Sequence, residues 1–348
     1  MQAAPILSWS ESVTQFVGFV ASFLATGAVG FRYAVVRDRL TRFDPATSAE
    51  GAVYGDATQR AAALGLLGAI MQAILLVMQL PAVATRAHVS VGQLVTTDLQ
   101  TAATCVLLAA AIVGLSLATA RRWSGWPIAA VAIIAGPLVG ILGGRWSRLV
   151  NPIHQLVGGL WLGTLFVLVV AGLTAVLRDE PSRDRRGAIV ADMVNGFSPL
   201  AFTCGTLVVL SGLITAWQHL NPLSSLWTTP YGYALLIKLC LVAGVFGTGA
   251  WNWRRLRPQL GSEDAAIGIH RSSMRELAAA TLVLIVTAIL VSLPSPRPPR
   301  PPGTGAPGSG APAGAERNAV PQRSSRSAGR VAKDYLTTLT GHFPHEES

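Results

Sequence analysis

The feature that most constrains this chain is a series of apolar runs, each about 20 residues long, separated by short segments that carry arginine. At 1.5 Å of rise per residue, a helix of that length crosses the ~30 Å hydrocarbon layer of a bilayer. A closed barrel would need strands that alternate polar and apolar residues, and these runs do not alternate. The chain is also 51% hydrophobic and only 13% charged, whereas a soluble domain is about a quarter charged, so the apolar excess has to face lipid. The sequence therefore predicts an all-α, polytopic transmembrane helix bundle and argues against a soluble enzyme.

Apolar windows place spans near 13–36, 60–83, 98–119, 125–143, 151–177, 196–218, 231–251 and 276–293, about eight in all. The fourth carries Pro127 and Pro137, so a re-entrant segment is the alternative there. The first run reads as a membrane span rather than a secretory leader, because no basic segment precedes it and arginines follow it. Three regions result: four N-terminal spans over 1–144, four more over 145–293, and a tail over 294–348. That tail begins with Pro, Gly, Ser and Ala almost throughout, a composition too poor in apolar surface to order itself.

Arginine sets the expected orientation. Alternate loops hold Arg32, Arg37, Arg39, Arg42 and Arg60, then Arg121 and Arg122, then Arg178, Arg183, Arg185 and Arg186, then Arg254, Arg255, Arg257, Arg271 and Arg275. The intervening loops hold only Arg86, Arg145 and Arg148. The positive-inside rule puts the rich loops in the cytoplasm and both termini outside. The net charge of +10 thus lies where anionic headgroups would meet it, and nucleic acid is not an expected partner.

Polar side chains are costly in lipid, so those inside or beside the spans are the candidates for function. On the expected orientation His88, His154 and His219 all fall near the outer surface. Imidazole is a common ligand for copper, zinc and haem iron, although it is also an ordinary interfacial side chain. Met78 lies near the outer end of the second span, and a thioether with imidazole suits Cu(I); methionine also simply fills gaps. Cys204, Ser211, Thr215 and His219 form a stripe along the sixth span, which either lines a path or bonds carbonyls one turn back. Lys238 shares a face with Tyr231 and needs a partner or a wet cavity, with Asp98 as one candidate counter-ion and snorkelling as the alternative. Gly159 and Gly163 permit close helix approach around Trp161, which lies seven residues from His154.

Several segments in order carry a resemblance. They are His154 to Gly163 (HQLVGGLWLG), Phe197 to Ala201 (FSPLA), Ser211-Gly212-Leu213 with Ala216-Trp217, Thr229 to Gly232 (TPYG) leading to Lys238, and Asn252 to Pro258 (NWRRLRP). Together they resemble the copper resistance protein D family of bacterial inner-membrane proteins, over spans five to eight. The resemblance implies copper handling at the cytoplasmic membrane, usually uptake, with His154 and Trp161 at hallmark positions. Where relatives carry Met- or His-rich outer segments, this chain has only its sparse tail, so a periplasmic copper-binding protein or other subunits of a membrane complex enter as expected partners.

Two readings of the site follow. Copper is bound by His154 and His219, with His88 or Met78, and passed along the Ser211 and Thr215 stripe; or the two histidines are axial ligands of a haem b. A structural or assembly subunit is a third reading. No HExxH, GxSxG or P-loop motif is present, and the expectation is that the protein is not an enzyme.

Overall fold

The computed structural model describes residues 9–143, 150–178, 185–219, 224–256 and 263–292, and among them there is helix but no strand. The elements are α1 (Trp9–Gly30, continued by a π-helical turn Phe31–Val35), α2 (Arg37–Arg42), α3 (Ala49–Arg86), α4 (Val91–Thr97), α5 (Leu99–Thr119) and α6 (Gly125–Ala135, continued as a 3₁₀ segment Gly136–Gly143). Then come α7 (Val150–Arg178, with π-helical segments Gly159–Gly163 and Leu168–Leu173), α8 (Arg186–His219), α9 (Ser225–Thr228), α10 (Pro230–Leu256) and α11 (Glu263–Ser292). The all-α expectation holds.

Six helices contain a stretch long and apolar enough to cross a membrane, lying in α1, α3, α5, α7, α8 and α10. Two shorter apolar segments, Gly125–Gly140 and Leu277–Ser292, occupy the places of the expected fourth and eighth spans. The fourth departs from a plain helix because Pro137 has no N–H to donate and sits between Gly136 and Gly140. Three helices start well before the hydropathy windows did: α3 at Ala49, α8 at Arg186 and α11 at Glu263. Hydropathy sees only the lipid-depth part of a helix, whereas the backbone ladder continues wherever nothing stops it. For α3 the stop is Ser48, whose side chain accepts from the Gly51 N–H at 3.0 Å.

Large apolar side chains lie on the outside of the bundle, including Val77, Val106, Val131, Leu213 and Phe202, the last 80% exposed. In water such a surface would associate; in lipid it is the solvent-facing side. Inside, α1 is central and packs along α3 and α7 while touching α6 and α11. Lipid supplies no hydrophobic force to bring helices together, so close approach depends on small residues. A Cβ on Gly27 would collide with the backbone of Gly163, and one on Gly163 would lie 3.1 Å from Gly27 Cα.

One apolar core joins α1, α3, α5, α6, α7 and the start of α8, and a second joins α7, α8, α10 and α11. Helix α7 belongs to both. Its contacts with α1 advance together along the two chains (Thr26 with Gly159, Gly30 with Thr164), so the two run parallel, and α3 and α8 run antiparallel to them. His88, His154 and the backbone of His219 therefore share one end of the bundle. At the opposite end Arg39 donates to Asp192 at 2.9 Å, tying α2 to α8, and Arg185 pairs with Glu50 at the start of α3. At the His154 end, Ser12 and Ser292 are hydrogen-bonded at 2.8 Å, so the first turn of α1 meets the last turn of α11. The predicted tail from 294 onward lies outside the described residues.

Candidate functional site

Helices α7 and α8 meet in rungs that recur every three or four residues, the spacing of one helical face. Thr215 donates its hydroxyl to Asn151 Oδ1 at 3.1 Å; His154 Nδ1 lies 2.9 Å from Ser211 Oγ; a Cβ on Gly158 would touch Val208; and Trp161 shares a core with Cys204. The imidazole fits against α8 because residue 212 is glycine: a Cβ there would stand 3.3 Å from His154 Cε1.

The Ser211 bond determines which ring nitrogen is free. Ser211 donates its single hydroxyl proton to the Leu207 carbonyl at 2.6 Å, one turn back. With that proton on the Leu207 carbonyl, Ser211 accepts from His154, which puts the imidazole proton on Nδ1 and the lone pair on Nε2; the imidazole also bonds the Val208 backbone. Metal-binding histidines are held in this way, with one nitrogen donating to a fixed acceptor and the other pointing at the ion.

Trp161 forms the floor below this rung. Its ring lies 4.6 Å from Phe246 of α10, tilted by 30°, and the two share an apolar core with Val157, Cys204, Val245 and Val283. Lys238 precedes Phe246 by eight residues, about 12 Å of helix rise, which brings it level with His154. There it lies within electrostatic range of the imidazole, and it has no acidic partner among the described residues.

The other candidates are distributed differently. His219 is the last residue of α8, about 12 Å of rise beyond Ser211; its side chain, like that of Tyr231, lies outside the described residues. His88 is exposed and adopts φ 54°, ending α3: its N–H bonds to Thr85 O and the Val89 N–H to Ala84 O, with Val89 packed on Val83 and Ala84. Met78 is 71% exposed on the outside of α3. Asp98 caps α5, accepting from the Thr101 N–H at 2.8 Å and its hydroxyl at 2.6 Å. Among the described residues no three His, Cys, Asp or Glu side chains form a group able to hold a metal. What the structure does bring together is His154, Ser211, Thr215 and Lys238 above Trp161. Sequence reasoning missed Asn151, Gly212 and Phe246; Asn151 stands three residues from His154, and that spacing was its only signal.

Known proteins bear on this half of the molecule. Residues 191–291, covering most of α8 with α10 and α11, match the family model for copper resistance protein D. The chain is also 30% identical over 170 residues to copper transport protein CutJ of Bacillus subtilis (strain 168), a match that covers 49% of this chain and 28% of that protein. The chain thus spans well under half the length of the curated relative it matches. No solved structure matches. His154 and Trp161 precede the segment that the family model covers, and they reach it through their contacts with α8 and α10.

Proposed function

We propose that this chain is a copper-handling protein of the bacterial cytoplasmic membrane, which receives copper at the His154 end and moves it into the bundle as cargo. The observation that carries the reading is the Ser211 bond, which presents the bare Nε2 of His154 at a site walled by α8 and α10. The similarity to copper resistance protein D and to a copper transport protein supplies the identity of the ion. The protein acts by binding and transfer and not by catalysis, spans the membrane eight times with the His154 end outside, and takes its copper from a periplasmic copper-binding protein.

The surroundings favour a weak and transient site. One imidazole with hydroxyl and amide oxygens is a small donor set, and the Lys238 ammonium opposes added positive charge, which disfavours Cu(II) relative to Cu(I). Below, Trp161 against Phe246 closes the route along α8, so the ion passes only when that pair moves.

The test is Cu(I) titration of the full chain in detergent against a competing chelator. His154→Ala should abolish the one-site component, and Ser211→Ala should weaken it about 10- to 100-fold, the usual effect of losing a ligand's supporting hydrogen bond. Copper binding unchanged in His154→Ala overturns the reading. A Soret band in the purified protein that depends on His154 would favour the haem b reading in its place.

A further inference from the structure

The end of the bundle opposite His154 holds an unbalanced group of arginines. Helix α5 ends with Arg121 in a left-handed conformation (φ 59°), where its N–H bonds to Ala118 O and that of Arg122 to Leu117 O. The chain then turns directly into α6, and the corner encloses a cavity of about 100 Å³ lined by Thr58, Gln59, Arg121, Arg122, Trp123 and Trp126. Arg121 is steered by Gln59, whose Oε1 accepts from Arg121 Nε at 3.0 Å while its Nε2 donates to Thr119 O at 3.1 Å. Both terminal nitrogens of Arg121 and the whole Arg122 guanidinium have no acceptor among the described residues.

A third arginine stands behind the wall. Arg32 is only 9% exposed, its guanidinium carbon 4.8 Å from the centre of the Trp123 ring, and its Nε and Nη1 are buried without a partner. Stacking on an aromatic ring stabilises a guanidinium but satisfies none of its in-plane N–H groups. Among the described residues, none of the carboxylates at this end is paired with Arg32, Arg121 or Arg122, Asp38 included. Asp56 is held by Arg60 at 2.8 Å, Glu50 by Arg185, and Asp192 by Arg39. Asp44 accepts from the Ala46 N–H.

A positive, aromatic-rimmed pocket with forked donors and no carboxylate among its described lining residues is suited to a phosphate group. Its position at a helix corner, with Trp123 54% exposed beside it, is that of a headgroup rather than of an aqueous cleft. We propose that this pocket binds the phosphodiester of an anionic phospholipid in the adjoining leaflet, through Arg121 and Arg122, with Arg32 adding charge from behind Trp123. Zwitterionic lipids carry the same phosphate but bring an ammonium group, quaternary in phosphatidylcholine, into a pocket that already holds three cations, so the site discriminates against them.

Native mass spectrometry of the full chain, released from neutral detergent and titrated with short-chain phosphatidylglycerol, phosphatidylcholine or inorganic phosphate, tests this. Phosphatidylglycerol should bind at least tenfold more tightly than phosphatidylcholine. Each of Arg121→Gln and Arg122→Gln should weaken it about fivefold, as expected for one basic residue at a lipid surface. Both side chains are exposed, so these variants should keep their helicity and melting temperature; Arg32→Gln is compared only if it does too. Equal binding of the two lipids overturns the proposal, as does a double variant that binds phosphatidylglycerol like the parent. Inorganic phosphate that competes at the lipid's own concentration would make this a free-anion site, and would overturn it as well.

Discussion

At the level of single residues, the structure separates three histidines that the sequence treats alike. His154 has its tautomer fixed by Ser211 and its space made by Gly212, whereas His88 is spent on ending a helix. A left-handed conformation costs a non-glycine residue roughly 1–2 kcal/mol, so His88→Gly should raise stability by about 1 kcal/mol, read as a higher melting temperature in detergent with copper affinity unchanged. A loss of copper affinity in that variant would return His88 to the ligand set. Asp98 likewise caps α5 instead of neutralising Lys238; Asp98→Ala should cost about 1 kcal/mol of stability and leave copper titrations as they were. Neither role could be read from the sequence, because a capping side chain and a ligand look the same until the backbone around them is known. The Ser211 rung was half legible: a polar stripe on α8 was visible, but its partner on α7 was not.

At the level of helices, the glycines on α7 were legible as a packing motif and the structure supplies their partner. Gly159 meets Thr26 and Gly163 meets Gly27 on α1, with no room for a side chain between backbones. Gly163→Leu should therefore push α1 and α7 apart at a cost of about 1–3 kcal/mol or more, and a larger drop in melting temperature than the same change at Gly244, where a Cβ meets nothing within 4 Å. The local winding of α7 was not legible. π-Helical segments at Gly159–Gly163 and Leu168–Leu173 hold an extra residue per turn, and such segments recur at functional sites. Hydrophobicity does not encode them: the first lies where α7 meets α1, and the second packs on α3. The break in α6 could be foreseen at Pro137, but not its form as 3₁₀ turns.

At the level of the whole molecule, α7 is the helix shared by both cores, with Gln155 lining a cavity of about 150 Å³ on the α1 side while His154 faces α8 on the other. A change in how α7 sits against α1 would thus move the imidazole relative to Lys238. Orientation can be tested on the intact cell: in a variant lacking Cys105, Cys204 and Cys240, a cysteine at Ser90 should react with a membrane-impermeant thiol reagent from outside, and one at Ser124 should not. The reverse pattern would invert the proposed direction of uptake. What the sequence determined by itself is what depends on composition and period: helices and no strands, the approximate place of each apolar segment, and which loops carry the arginines. These follow from local rules, because lipid forces every backbone group in a span to bond within its own helix. Which side chains meet was decided only by the tertiary structure, since register between helices is set by small-residue contacts far apart in the chain. The same polar residue becomes a cap on α3, a guide for His154 on α8, or one of a group of arginines left without an anion, according to the neighbour that packing gives it.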